Sequence, residues 1–281
     1  MPVKTGTGYS NSFLLFYQRP HFKVLVVGGG PAGMEAARVA TLRGHDVTIY
    51  EKNKELGGHL IEATVPAFKK DLKDYKDWIV CQMSKQGVKV ELGKAATALS
   101  VAAFKPDAVV IATGSVVSIP DIPGADKSIL TTAIDLLLGK EGPGENTLLV
   151  GGGAVGCETA LYLAQKGKKV TLVEILPEVC SDVAMVKGKL TVELADSGVK
   201  VLPNTKVVGI TEGGVTATGD DQDTMTIAGD KVVLSMGLVA DNALYEELKA
   251  EIPEIYLIGD ATEPGRVGRA VHDGYRVGAA I

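Results

Sequence analysis

Residues 24–51 read VLVVGGGPAGMEAARVATLRGHDVTIYE and residues 148–174 read LLVGGGAVGCETALYLAQKGKKVTLVE; a shift of 123 places lays one stretch over the other. Gly28 falls on Gly151, Gly30 on Gly153, Gly33 on Gly156, Glu35 on Glu158, Gly44 on Gly167 and Glu51 on Glu174. At the same shift, residues 107–114 (DAVVIATG) fall on 230–237 (DKVVLSMG). An internal repeat of this extent decides the architecture before any residue has a role. Each copy opens with a short aliphatic run, apolar on both faces, as a central parallel strand covered by helices requires. Glycines follow at once. A run with small residues (Ala36, Ala37, Ala40; Thr159, Ala160, Ala164) then reads as a helix lying close on the sheet. Strand, glycine turn, helix, strand is a βαβ unit, present twice.

The glycines carry a chemical reason. A helix start has unpaired N–H groups and a partial positive charge, to which a diphosphate is complementary. Gly28 and Gly151 permit the tight turn, Gly30 and Gly153 bring a ligand onto bare backbone, and Gly33 and Gly156 let the helix press on the strand. Pro31 and Ala32 in the first copy, and Val155 in the second, complete the platform at each helix start. Glu51 and Glu174 end the next strand, where a carboxylate accepts ribose hydroxyls. A carboxylate repels a 2′-phosphate, and Ile175, Leu176, Pro177 and Glu178 bring no arginine to the second copy, so NADH is expected there rather than NADPH. Lys52 and Lys54 follow Glu51. Lys52 lies at the adenosine end of the first site, although lysines on a loop also serve as a solvated face.

Between the anchors the copies diverge. The first has a helical segment over residues 67–86; the second has turn-rich strands over 201–227. The expected class is α/β with two Rossmann-like dinucleotide-binding domains.

Composition narrows the partners. The 281 residues are 46% apolar and 22% charged, with 34 glycines, one Trp and a net charge of −5. Scarce aromatics weigh against stacking platforms, and the absence of a dense basic block weighs against nucleic acid. Cys81, Cys157 and Cys180 form no CxxC pair, which argues against a disulfide framework, a zinc knuckle or a dithiol redox centre and suits a cytoplasmic protein. No apolar run reaches membrane-spanning length, and residues 12–17 (SFLLFY) are too short for a signal peptide.

Together these residues resemble the two-dinucleotide-binding-domain flavoproteins, the class that contains glutathione reductase and thioredoxin reductase. The resemblance implies that the first fingerprint holds FAD, that Ala112-Thr113-Gly114 marks the crossing into the second domain with Gly237 at the repeated position, and that the second fingerprint holds NADH. It also implies a return to the flavin at Gly259 and Asp260, with Asp260 on the ribitol and a helix from about Val267 aimed at the ring. Closer still, GGGPAGMEAA, ELGG, GGGAVGCETALYLAQKGKKVTLVE and IYLIGDATEP…AVHDGY are similar to the C-terminal half of the 2-enoate reductase, 2,4-dienoyl-CoA reductase and trimethylamine dehydrogenase family, over residues 22–281. There Gly57 and Gly58 lie near the FAD diphosphate, and an N-terminal TIM barrel with FMN and a four-cysteine iron–sulfur cluster does the substrate chemistry.

The domains implied are residues 21–118 with 242–281 for FAD and 119–241 for NAD(H), inserted between them; residues 1–20 are an unassigned arm. The principal expectation is a diaphorase-like flavoprotein that moves hydride from NADH to FAD and passes electrons to a redox partner. The alternatives are a redox-silent FAD or ADP module and a self-contained NADH oxidase or ferredoxin-type reductase. No general acid or base is expected, because both reacting ends belong to cofactors. Glu158 stands at the nicotinamide end or merely complements the helix dipole; Cys157, His59 and His272 are expected to serve packing before chemistry.

Overall fold

The computed structural model describes residues 21–281 except 220 and 222. The unassigned arm, with its apolar 12–17 stretch, lies outside the described residues. Two five-stranded parallel sheets carry the architecture. One has the order Ile255–Leu257, Ala108–Ile111, Lys23–Val27, Asp46–Glu51, Lys89–Leu92, and the other Leu130–Thr132, Lys231–Leu234, Asn146–Val150, Lys169–Val173, Lys200–Leu202. The first sheet draws its last strand from the end of the chain, beyond the whole second sheet.

The repeat holds to the level of strand register. Lys23 pairs with Asp46 and Asn146 with Lys169; Val24 pairs with Ala108 and Thr147 with Lys231. Each of these residues lies 123 places from its counterpart. The central strands are aliphatic because both faces are covered: Val24, Leu25, Val26 and Leu149 have no exposed surface. Each such side chain contributes about 1.5–3 kcal/mol on burial. Between the sheets, Ser115–Val117 and Leu238–Ala240 pair antiparallel, so the outgoing and returning chains form one ribbon.

The segments that diverge are also as read. A single 3₁₀ turn, Ala67–Lys69, leads into the helix Lys70–Lys85, whose exposed face carries Lys70–Asp74 and Lys73–Asp77 pairs at helical spacing. In the second copy Lys206–Thr211, Gly214–Thr218 and Thr224–Ala228 form an antiparallel sheet of their own, while Lys200–Leu202 belongs to the main sheet.

One expectation needs refinement. The small residues of the helix Pro31–Leu42 serve a second helix as well as the sheet. The C-terminal helix Val267–Ala280 crosses so closely that a β-carbon added at Gly274 would lie 2.3 Å from Ala32 O, and one at Gly278 2.6 Å from Ala36 O. No helix among the described residues is long and apolar enough to cross a membrane.

Candidate functional site

Each glycine turn is held by its neighbours in the same way. Gly28 N–H donates to Tyr50 O at 2.8 Å and Gly151 N–H to Val173 O at 2.9 Å. Gly28 has φ +106° and Gly151 +105°, a region open to glycine but strained for other residues. A β-carbon at Gly33 would lie 2.0 Å from Gly28 O, and one at Gly156 1.9 Å from Gly151 O, so both turns exclude any larger residue.

The two acids are buried, Glu51 4% and Glu174 7% exposed, and each ties its glycine turn to the following loop. Glu51 Oε2 accepts Gly29 N–H at 2.7 Å and Oε1 accepts Asn53 N–H at 2.7 Å. Glu174 Oε2 accepts Gly152 N–H at 2.5 Å and Oε1 accepts Leu176 N–H at 2.7 Å. This tethering was not legible in the sequence, which suggests only a ribose acceptor. An oxygen with one amide still has a second lone-pair direction, so the two roles are compatible.

The first site opens onto a cleft of about 940 Å³. Its walls include Gly28, Gly30, Pro31, Ala32, Glu51 and Lys52; farther on come Gly58, Ala112, Thr113, Gly114 and Asp260. Gly33 packs behind the turn, and Gly57 binds the turn from outside through its N–H to Gly29 O at 2.9 Å. Gly58 approaches Gly30 so closely that an added β-carbon would lie 2.9 Å from Gly30 Cα. Gly259 packs on the same helix, where a β-carbon would lie 2.8 Å from Ala32 Cβ. Lys52 lies 3.9 Å from Asp241 on the returning chain.

Asp260 accepts Gly265 N–H at 3.0 Å and the Ser115 hydroxyl at 3.3 Å. Ser115 also meets His59, whose Nε2 lies 3.2 Å from Ser115 Oγ and whose Nδ1 lies 2.5 Å from Glu62 Oε1. The Glu62 hydrogen bond raises the His59 pKa above its ordinary value, against the opposing effect of burial. His59 thus belongs to a polar network on the cleft wall. His272 is exposed and lies outside that wall.

From the second copy the cleft takes Val155, Glu158, Thr159 and Gly237. Gly151, Gly153, Gly156 and Glu174 do not line this cleft. Glu158 forms an ion pair with Lys69, which reaches across from the first copy's 3₁₀ turn. Lys69 carried no sequence signal, because only folding brings its turn against the second helix. Arg266, Val267 and Ala270, at the start of the C-terminal helix, line the same cleft.

The cysteines differ from their sequence reading in one respect. Cys157 and Cys180, distant in the chain, meet at one carbonyl: Cys157 Sγ lies 3.2 Å from Gly152 O, and Cys180 N–H donates to that oxygen at 2.7 Å. Both are free and fully buried, and burial pushes both thiols up, so neither is a ready nucleophile.

The fold and its glycine platforms define a two-site nucleotide-binding oxidoreductase architecture. The model of the pyridine nucleotide-disulphide oxidoreductase family matches residues 22–274, and the chain belongs to that family of FAD- and NAD(H)-using flavoproteins. It is 40% identical over 261 residues to an NADH oxidase of Thermoanaerobacter brockii, covering 91% of this chain and 40% of that protein. It is 38% identical over 268 residues to a cinnamate reductase of Clostridium sporogenes, covering 92% and 39%. A solved structure of 2-naphthoyl-CoA reductase in complex with 2-naphthoyl-CoA superposes with a TM-score of 0.89 at 38% identity, covering 93% of this chain and 40% of that one. The chain thus spans about 40% of the length of these relatives and corresponds to the FAD/NAD half of the enoate reductase type.

Proposed function

We propose that this chain is the NADH-oxidising flavoprotein module of a larger reductase, taking hydride from NADH onto FAD and passing electrons to a redox partner that carries the substrate chemistry. The observation that carries the reading is the shared cleft, which runs from the first glycine turn to Val155 and Glu158 of the second helix. Residues 21–118 and 242–281 form the FAD-binding domain in this reading, and 119–241 the NAD(H)-binding domain.

The residues present fit both dinucleotides. Gly28, Gly30 and Gly58, with the small Pro31 and Ala32 at the helix start, form a mostly bare-backbone cradle for the FAD diphosphate, a surface that a β-carbon at Gly58 would fill. Gly33 and Gly57 shape that cradle from behind. Glu51 and Lys52 hold the adenosine end, with Ala112, Thr113, Gly114, Gly259 and Asp260 along the ribitol. The N-terminus of Val267–Ala280 contributes positive potential at the ring. Gly151, Gly153, Val155, Gly156 and Glu174 hold NADH, and Glu158, paired with Lys69, and Gly237 border its nicotinamide end. When bound, FAD supplies the hydride acceptor, so the chain's own contribution is to orient two cofactors and exclude water.

Glu174 favours NADH: its buried carboxylate opposes a 2′-phosphate, and the next two residues are Ile175 and Leu176. The redox partner is of the TIM-barrel FMN and iron–sulfur kind by resemblance. Three free thiols suit a cytoplasmic setting. Anaerobic addition of NADH should bleach the flavin, and NADPH should do so far more slowly. A bound flavin that stays oxidised under excess NADH would leave a binding-only module.

A further inference from the structure

The second glycine platform carries a carboxylate contact that the first does not. The Asp182 carboxylate accepts the N–H of Ala154, the first residue of the helix Ala154–Gln165, with its two oxygens at 3.0 and 3.1 Å. The same carboxylate lies over the bare backbone of Gly153, where an added β-carbon would sit 3.5 Å from its Oδ2. Asp182 belongs to the loop 175–183, which follows the strand Lys169–Val173. Cys180, at φ +56°, ties this loop to the glycine turn through Gly152 O. Arg266, the residue capping the C-terminal helix, donates to Asp182 O at 2.5 Å.

In the first copy the residue aligned with Ala154 is Pro31, which has no N–H, and the residue aligned with Asp182 is His59, turned instead toward Glu62 and Ser115. Among the described residues, only the second platform is covered by an anion of the protein itself. A carboxylate and a diphosphate seek the same features, the amides and positive potential of a helix start. Their like charges exclude joint occupation at that contact.

We infer that Asp182 is a built-in competitor for the diphosphate of NADH: its carboxylate holds the helix start closed, and the incoming nucleotide displaces it, while Arg266 keeps the loop anchored through the Asp182 backbone carbonyl. The inference rests on the reading of the second fingerprint as the NADH site. Apparent affinity is then the intrinsic affinity reduced by the fraction of molecules with the loop open.

The test is calorimetric titration of the FAD-loaded full chain with NAD⁺, which binds without turnover. Asp182→Ala should tighten NAD⁺ binding by roughly tenfold, the scale of one charge-assisted hydrogen bond lost from the competing state. Glu178→Gln removes a charge from the same loop without touching Ala154, since Glu178 pairs with Lys187 at the surface, and should leave affinity nearly unchanged. Equal tightening in both variants would reduce the effect to general charge, and unchanged or weaker binding in Asp182→Ala would overturn the inference. The Ala154 amide should exchange more slowly with solvent in the NAD⁺-free wild type than in NAD⁺-free Asp182→Ala; equal exchange overturns it as well. If no variant binds NAD⁺ and NADH does not bleach the flavin, the reading of the second site fails and the inference with it.

Discussion

Lys69 and Glu158, 89 residues apart in sequence, form an ion pair that bridges the two copies of the repeat across the shared cleft. Each side chain is about three-quarters buried, so the pair is shielded from solvent in a way that surface pairs are not. Removing one partner leaves a charge without compensation at the junction of the proposed cofactor sites. Glu158→Gln and Lys69→Met should each slow flavin reduction by NADH roughly tenfold, about 1.4 kcal/mol, with the flavin content of the purified protein unchanged. Single-turnover stopped-flow at saturating NADH separates this from weakened binding. Wild-type rates in both variants would make the pair a structural tie alone.

The glycine turns allow the two sites to be lost separately. Gly33→Ala forces a β-carbon against Gly28 O, and Gly156→Ala does the same against Gly151 O, at an overpacking cost of about 1–3 kcal/mol in each case. Gly33→Ala should emerge with little bound flavin. Gly156→Ala should remain yellow but bleach poorly with NADH. The ratio of flavin to protein absorbance, followed by an NADH titration, reads both outcomes.

Glu174→Ala deprives two backbone amides, Gly152 and Leu176, of their acceptor as well as removing the proposed ribose contact. Unpaired buried donors cost about 1–3 kcal/mol. NADH affinity should therefore fall roughly ten- to hundredfold while FAD is retained. Loss of FAD in this variant would mean that the two fingerprints are assigned in reverse.

His59 offers a pH-dependent test. Its hydrogen bond to Glu62 raises its pKa in the folded protein, so the bound proton stabilises the fold. That contribution is complete below the ordinary imidazole value of about 6.5 and disappears as the pH rises through the raised one. Glu62→Gln should lower the Tm most at about pH 6, and the difference from wild type should narrow in mildly alkaline solution. Melting curves across this range, with the His59 ring signals followed by NMR, check both the sign and the residue.

Much of the site was legible because the repeat is written in residue types whose roles are local. Gly33 and Gly156 announce themselves because a β-carbon would meet the turn's own carbonyl, an event within six residues of chain, whereas a β-carbon at Gly28 or Gly151 would meet Ala112 O or Ser235 O on a neighbouring strand's end, a contact that only folding supplies. Glu51 and Glu174 are legible by spacing, since one strand and one helix fix how far the acid lies from the turn. Strand register is less so, because strands that are apolar on both faces show no alternation to fix the pairing.

What the sequence by itself determined is the pair of βαβ units, their glycine platforms and the acids at their strand ends, all set by short-range sterics and backbone hydrogen bonding. Only the tertiary structure decided which groups meet around the cleft: Lys69 with Glu158, Ser115 with His59 and Asp260, and Arg266 with the backbone carbonyl of Asp182. These contacts join segments far apart in the chain, and their distances depend on how the two sheets are set against each other through the paired ribbon of Ser115–Val117 and Leu238–Ala240. The shift that maps His59 onto Asp182 was present in the sequence. That one turns to a carboxylate and the other covers a helix start depends on neighbours that folding alone supplies.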